Sequence, residues 1–184
     1  MTARGIGLVA GLYLVASAVL PSLAWAQSDS KGPPQLDVSP IGKVLTVAGI
    51  AHIEHPATIL VQANLSTSDN APTKVGDLVY RGDVIQTGAD GALSITFADG
   101  TSFNVSSNAR MEVNSFIYDP NGHSNSSLLS LTKGTFTFIA GNVAHTGDMK
   151  VDTPVGTMGI RGTAPRVQIL DDGTVKFSTL VEQK

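Results

Sequence analysis

Hydrophobic and polar residues alternate along short segments of this chain, and turn-forming residues separate the segments. Leu93, Ile95 and Phe97 occupy every second position of one segment, which places them on the buried face of an extended strand. Asp99-Gly100 follows, and a second alternating segment comes directly after it. Because Asp-Gly favours the positive φ angles of a tight hairpin turn, the pattern predicts a β-hairpin over residues 92–105.

The same alternation returns twice later in the chain. It appears in residues 135–140, after a predicted turn at Lys133-Gly134, and on both sides of Asp172-Gly173, which predicts a second hairpin. Four Gly-Asp or Asp-Gly steps between residues 76 and 100 are spaced by 6, 8 and 9 residues, as expected for strands of about 4 to 6 residues. The sequence therefore predicts an all-β domain of short strands, built as a β-solenoid-like, jelly-roll or sandwich fold.

Two polar stretches interrupt this rhythm, at residues 64–73 and 119–127. Both are rich in Asn, Ser, Asp and Pro, which favour turns and solvated loops over strands. We expect both stretches to be exposed and mobile.

The first 26 residues have the composition of an export signal. Residues 5–26 carry no charge, Arg4 precedes them, and Ala24-Trp25-Ala26 forms the small-x-small pattern that a signal peptidase cleaves. We expect cleavage after Ala26, although an apolar stretch of this length also allows an uncleaved membrane anchor. After cleavage we expect no stable membrane span and a periplasmic or secreted location in a bacterium.

Composition narrows the class of protein that follows the signal. Residues 27–40 are polar and Pro-rich, which predicts a flexible spacer, and residues 41–184 are predicted to form one domain. The absence of cysteine removes disulfides and thiolate metal sites. With 15 acidic residues against 12 Lys and Arg, the net charge of −3 does not favour nucleic acid as a partner.

Side chains with catalytic potential are scattered along the chain. No Gly-x-Ser-x-Gly elbow and no glycosidase-like pair of glutamates stands out, so the chain is not expected to be an enzyme. His52 and His55 lie three residues apart and point to opposite faces of a strand, which favours solvated surface histidines over a metal site. We expect no cofactor and no metal.

Four segments, in order, resemble the FecR domain family. They are Gly42-Lys43-Val44-Leu45-Thr46-Val47-Ala48-Gly49; Val75-Gly76-Asp77 through Gly82-Asp83-Val84-Ile85-Gln86-Thr87-Gly88-Ala89-Asp90-Gly91 to Gly100; Lys133-Gly134-Thr135-Phe136; and Thr153-Pro154-Val155-Gly156-Thr157-Met158-Gly159-Ile160-Arg161-Gly162-Thr163. Together they span roughly residues 41 to 170, and four ordered motifs are far more specific than one glycine signature.

The resemblance implies a non-enzymatic, all-β domain that signals or binds through protein contacts. Full regulators of this family carry a cytoplasmic sigma-factor-binding segment, a membrane helix and a further carboxyl-terminal module around such a domain. The resemblance here covers the domain alone, so it does not imply an anti-sigma activity. It implies an envelope role without naming the ligand.

Arg161-Gly162-Thr163 is the candidate site, with two readings. The guanidinium of Arg161 offers five donors in a fixed geometry to a partner, or it binds carboxylates and turn carbonyls within the fold. The small apolar neighbours of Arg161 favour the second reading, because they suggest partial burial. The carboxylates that we expect as its partners are those of Asp77, Asp83 and Asp99.

The sequence therefore predicts a non-catalytic FecR-like domain that contacts an unidentified envelope protein in signalling or sensing. The alternative is a structural or carbohydrate- and surface-binding module of the envelope. Exposed aromatic rings normally bind sugars by stacking. Tyr80 and Tyr118 are the only tyrosines beyond the predicted signal, and the only Trp of the chain lies within that signal, which weakens the alternative. The oligomeric state stays open at this point, and an unpaired strand edge is able to recruit another chain, because its backbone donors need no special side chain.

Overall fold

The computed structural model describes residues 38–57, 59, 71–162 and 164–179. The predicted signal peptide and residues 27–37 of the predicted spacer lie outside the described residues. So do most of the predicted loop at 64–73 and Thr163 of the candidate site. Cleavage after Ala26 therefore stays a prediction.

Twelve strands and a short helix form in this part of the chain. The strands are β1 (Gly42–Ala48), β2 (Ala51–Glu54), β3 (Leu78–Val79), β4 (Val84–Thr87), β5 (Ala92–Phe97), β6 (Ser102–Val105), β7 (Arg110–Ile117), β8 (Asn125–Ile139), β9 (Gly147–Thr153), β10 (Gly156–Ile160), β11 (Pro165–Ile169) and β12 (Val175–Thr179). The helix, α1 (Asn142–Thr146), lies between β8 and β9. The prediction of an all-β fold is confirmed.

The strands form two sheets that share β8. The first sheet runs β2-β4-β7-β8-β9-β10, and the second runs β3-β1-β5-β6-β8-β11-β12. The paired strands are antiparallel, except that β9 runs parallel to β8. Among the folds that the sequence left open, antiparallel pairing is typical of jelly rolls and sandwiches, whereas solenoid coils stack in parallel. The combined sheet is nearly closed and barrel-like.

The long strand β8 passes from the first sheet to the second at Gly134. Residues 126–133 pair with β7 in the first sheet, and residues 134–137 pair with β11 in the second. Gly134 has a φ of +103°, which residues with side chains rarely adopt, and a Cβ there would collide with Ala109. The predicted turn at Lys133-Gly134 is therefore wrong, because the glycine bends a continuous strand instead of reversing the chain.

Both predicted hairpins are confirmed. β5 pairs with β6 so that Leu93 faces Val105, and β11 pairs with β12 so that Ile169 faces Val175. Strands β4, β5 and β6 have 4, 6 and 4 residues, as the spacing of the turns predicts. β8 is much longer, at 15 residues, because it serves both sheets.

Alternate residues of both sheets face one hydrophobic core. The largest fully buried side chains are Phe103, Phe136, Phe138, Ile85, Ile95, Met111, Leu129, Leu131, Met149, Val44, Val79 and Val105. The rings of Phe103 and Phe138 stack with centroids 4.3 Å apart, and Phe97 contacts both Phe103 and Phe116. Burial of one such side chain contributes about 1.5–3 kcal/mol, so this core is the main stabilising feature of the domain.

The segment at residues 119–127 is only partly the exposed loop that its polar composition predicts. β8 begins within it, and Asn125 and Ser127 are buried. Oδ1 of Asn125 accepts a hydrogen bond from the backbone N–H of Asp119 (2.7 Å), and its Nδ2 donates to Oγ1 of Thr146 (2.7 Å). The expected exposure is wrong for Asn125 and Ser127, because a polar side chain is buried readily when hydrogen bonds replace its water.

Candidate functional site

The fourth motif forms an exposed hairpin that ends the first sheet. β9 and β10 are joined by the two-residue turn Pro154-Val155, and Thr153 pairs with Gly156 across it. Val155 at the tip is 66% exposed. β10 leads directly into Arg161 and Gly162, which are both exposed. We call residues 153–162 the terminal hairpin.

Helix α1 supports the end of this terminal hairpin. Gly162 has a φ of +61°, and a Cβ built on it would lie 2.7 Å from Cε1 of His145. His145 lies in the last turn of α1. Only glycine combines this backbone conformation with so close an approach of the imidazole, so the motif glycine sets the position of Arg161 relative to the helix.

Arg161 lies at the surface. Its side chain is exposed, and it makes no hydrogen bond or salt bridge with any residue that the structure describes. The expected partial burial is therefore wrong. The small neighbours Gly159 and Gly162 have no side chains to cover the guanidinium, and no described strand lies beside β10 on the side opposite β9.

The three aspartates expected as partners of Arg161 each bind a turn of their own. Asp77 is exposed, and its Oδ2 accepts a hydrogen bond from the backbone N–H of Lys74 at 2.7 Å. Asp83 and Asp99 are buried. The structure brings none of the three into contact with Arg161.

Asp99 fastens the β5–β6 hairpin to helix α1. It is 2% exposed. Its Oδ1 accepts from the backbone N–H of Thr101 (2.9 Å), and its Oδ2 accepts from Oγ1 of Thr101 (2.7 Å) and the backbone N–H of Val143 (3.1 Å). The carboxylate is therefore bound by three hydrogen bonds within the fold.

Asp83 forms the most chemically distinctive cluster of the described residues. Its fully buried side chain accepts the backbone N–H of Tyr80 at Oδ2 (2.8 Å), while Oδ1 lies 2.8 Å from Nδ1 of His55. The His55 side chain is 21% exposed and meets the ring of Tyr80 edge-on, with centroids 5.5 Å apart. The cluster joins the end of β2 to the turn before β4.

Burial raises the pKa of Asp83 above the ordinary aspartate value of 3.8. The hydrogen bonds from His55 and from the backbone of Tyr80 act in the opposite direction, because they stabilise the charged carboxylate. Removal from water is the larger effect. Burial therefore makes the charged form of this carboxyl group less favourable than it is in water.

Sequence reasoning missed the pair of His55 and Asp83. The two residues are 28 positions apart, and no local spacing connects them. His52 does not join them, because its Nδ1 lies 3.2 Å from the backbone oxygen of Ala71. Within the described ranges, no cluster of three or more His, Cys, Asp or Glu is suited to hold a metal ion.

The tyrosines differ in their availability to a ligand. Tyr80 is 5% exposed and belongs to the core. Tyr118 is partly exposed and lines a cleft of about 240 Å³ together with Arg81 and Phe116, and its hydroxyl accepts a hydrogen bond from Nδ2 of Asn142 at 3.0 Å. One aromatic ring held in this way is a small platform for stacking against a sugar.

Comparison with known proteins identifies the family. The family model described as FecR protein matches residues 83–181, which is more than half of the chain. This chain belongs to the FecR protein family. No curated protein and no solved structure matches it.

The FecR match covers the buried Asp83 and Asp99 and the terminal hairpin. It begins at Asp83, within the second of the four motifs, and includes the third and fourth motifs. FecR proteins are envelope-associated signalling regulators rather than enzymes. Across the described part of this FecR chain, no helix is both long and apolar enough to cross a bilayer.

Proposed function

We propose that this chain is a non-catalytic, periplasmic FecR domain that acts in envelope signalling through contact with another protein, and that Arg161 is a principal contact. The observation that carries the proposal is the exposure of Arg161 at the end of β10, where no described residue engages its guanidinium. Arginine is among the residues that contribute most to protein interfaces.

The geometry around Arg161 suits recognition of a carboxylate or of backbone carbonyls. Gly162 against His145 fixes the backbone beside it, so less conformational freedom is lost when the side chain binds. A planar guanidinium binds a carboxylate through two parallel hydrogen bonds. The partner surface that fits is therefore an acidic segment or the exposed carbonyl groups of a strand end.

The experiment compares Arg161→Ala with Arg166→Ala. Arg166 is also an exposed arginine, but it lies on β11 in the second sheet. The purified protein is used as bait in envelope extracts, and the captured partner is then titrated against each variant. We expect Arg161→Ala to weaken binding by roughly 30-fold or more, as for an interface hot spot of about 2 kcal/mol.

Stability measurements separate this proposal from a structural role. Arg161→Ala should change the free energy of unfolding by less than about 0.5 kcal/mol, because the side chain lies at the surface. Failure of repeated pull-downs to recover a specific partner, or equal loss of binding in Arg166→Ala, would contradict the proposal.

The alternative of a carbohydrate-binding module has weaker support. Tyr80 is buried, so of the tyrosines within the described residues only Tyr118 has an exposed face. Binding of envelope polysaccharide that is lost in Tyr118→Ala but kept in Arg161→Ala would favour that alternative.

A further inference from the structure

The last strands of the two sheets are protected to different degrees. The sheets end at β2, β3, β10 and β12. The segment at residues 71–73 covers β2, since the N–H of Thr73 donates to the backbone oxygen of Ala51 at 2.8 Å. β3 has only two residues, and β12 carries the exposed Lys176. Short length, a covering segment and charged residues are the usual protections of a sheet edge.

Among the residues that the structure describes, nothing gives β10 any of these protections. It contains five residues without charge or proline, and its pairing with β9 has no bulge. Of the strands in the described part of the chain, β9 alone pairs with it. Nothing lies within 4 Å of where a Cβ of Gly156 or Gly159 would be, so the sheet faces are open at these glycines. No strand of the described residues occupies the edge of β10 opposite β9.

The turn that closes the terminal hairpin determines which backbone groups face outward. A tight turn joins the backbone groups of Thr153 and Gly156, and hydrogen-bonded pairs alternate with non-hydrogen-bonded pairs along an antiparallel ladder. Consequently, Thr157 and Asp152 form a non-hydrogen-bonded pair, and so do Gly159 and Lys150. The N–H and C=O groups of Thr157 and Gly159 point away from β9.

We propose that β10 pairs with β10 of a second copy of this chain, antiparallel and about a two-fold axis at Met158. This register places Thr157 opposite Gly159 of the other copy, so the four outward residues exchange four hydrogen bonds. The two Met158 residues face each other at a non-hydrogen-bonded position. Their side chains are partly buried against the core of each copy, and pairing buries more of their apolar surface.

Charge complementarity favours this antiparallel register. Asp152 lies beside Thr157, and Lys150 lies beside Gly159. Each row across the pair therefore reads Asp152, Thr157, then Gly159 and Lys150 of the other copy, with about 14 Å between the two outer Cα atoms. Nζ of Lys150 lies 2.6 Å from Oδ2 of Asp148 on its own strand, so the unlike charges attract each other across the row without a direct contact. A parallel pairing would align like charges instead.

The pairing is independent of the partner proposed for Arg161. It uses backbone groups of residues 157–159 and requires only the purified chain. Arg161→Ala should therefore leave it unchanged, while a failure of self-association would not alter the test of partner binding.

The absence of cysteine from the chain allows a sharp experiment. In Met158→Cys, the paired Cα atoms would lie about 4.5 Å apart, within the range of about 4.4–6.8 Å that a disulfide requires. We expect mild oxidation to give a covalent dimer in high yield. Ser178→Cys, on the exposed β12, is the matched control and should cross-link at least tenfold less.

Two further variants test the pairing without changing Met158. Thr157→Pro removes an outward N–H, and Thr157→Val keeps it while losing the hydroxyl contact with Asp152. Sedimentation equilibrium should show a concentration-dependent dimer for the wild type and Thr157→Val, and a monomer for Thr157→Pro with unchanged circular dichroism.

Two results would overturn the proposal. One is a wild type that stays monomeric up to about 1 mM, the weak end of protein affinities. The other is equal cross-linking of both cysteine variants. Such a result would leave the edge to a strand of another protein or to this chain's own residues outside the described ranges.

Discussion

The turn at Gly82-Asp83 and the terminal hairpin carry two of the motifs that mark this family, yet they use their residues in opposite ways. At the first, the carboxylate of Asp83 is fully buried and bound by His55 and Tyr80. At the second, Arg161 and the edge of β10 face outward. The buried carboxylate thus holds the fold together at the first motif, while the second motif presents backbone groups and an arginine at its surface.

Asp83→Ala is the substitution that we expect to change the free energy of unfolding most. It leaves the buried N–H of Tyr80 without its acceptor and removes the charged partner of His55. Each loss costs about 1–3 kcal/mol, and we expect the free energy of unfolding to fall by about 2–4 kcal/mol in urea denaturation.

Asp77→Ala is the matched control for that experiment. Asp77 also accepts a turn N–H, that of Lys74, but it is exposed, so water replaces the lost hydrogen bond. We expect a cost of about 0.5–1 kcal/mol. Equal effects of the two substitutions would mean that burial does not distinguish the two turns.

Much of this organisation follows from local sequence. Asp-Gly at residues 99–100 and 172–173 predicts both hairpins correctly, because the φ angles of a tight turn depend on few neighbouring residues. The alternation of Leu93, Ile95 and Phe97 likewise predicts their burial, since side chains of a strand project to alternate faces.

The features that were missed depend on contacts distant in sequence. Gly134 was expected in a turn, but its positive φ bends β8 between two sheets, which depends on Ala109 and on strands formed elsewhere. The exposure of Arg161 depends on β10 being the last strand of its sheet, and strand order cannot be read from one segment. His55 and Asp83 meet because β2 pairs with β4, and this pairing also cannot be read from one segment.

A substitution of intermediate effect tests how the terminal hairpin is supported. Gly162→Ala places a Cβ 2.7 Å from Cε1 of His145 at a φ of +61°. The positive φ alone costs about 1–2 kcal/mol in a residue with a side chain, and we expect the steric contact to add to it. Thermal denaturation monitored by circular dichroism gives the measurement.

Gly173→Ala isolates the steric part of that effect. Gly173 has a φ of +81°, and nothing lies within 4 Å of where its Cβ would be. It should therefore lose only the conformational contribution and be destabilised less than Gly162→Ala. If the two variants lose equal stability, then α1 does not support the end of the terminal hairpin.

The smallest expected effect is a change in how stability depends on pH. The pKa of Asp83 is raised by burial, so this group contributes stability that is fully present below pH 3.8 and is lost as pH rises through its folded-state pKa. Asp83→Asn keeps an oxygen that accepts the N–H of Tyr80 but cannot ionise. The difference in unfolding free energy, wild type minus variant, should therefore fall as pH rises from about 3 to 7.

Asp172→Asn should give the opposite slope in the same measurement. Asp172 is exposed at the β11–β12 turn, and the backbone N–H of Thr174 lowers its pKa below 3.8. Its contribution to stability is present above pH 3.8 and is lost as pH falls through the lowered pKa, so the same difference should rise with pH. Opposite slopes would show that burial makes charge unfavourable at Asp83, while hydrogen bonds from Thr174 make charge favourable at Asp172. If the Asp83→Asn difference also rose with pH, the contact with His55 would outweigh burial, and Asp83 would be a stabilising ion pair rather than a buried carboxyl that opposes ionisation.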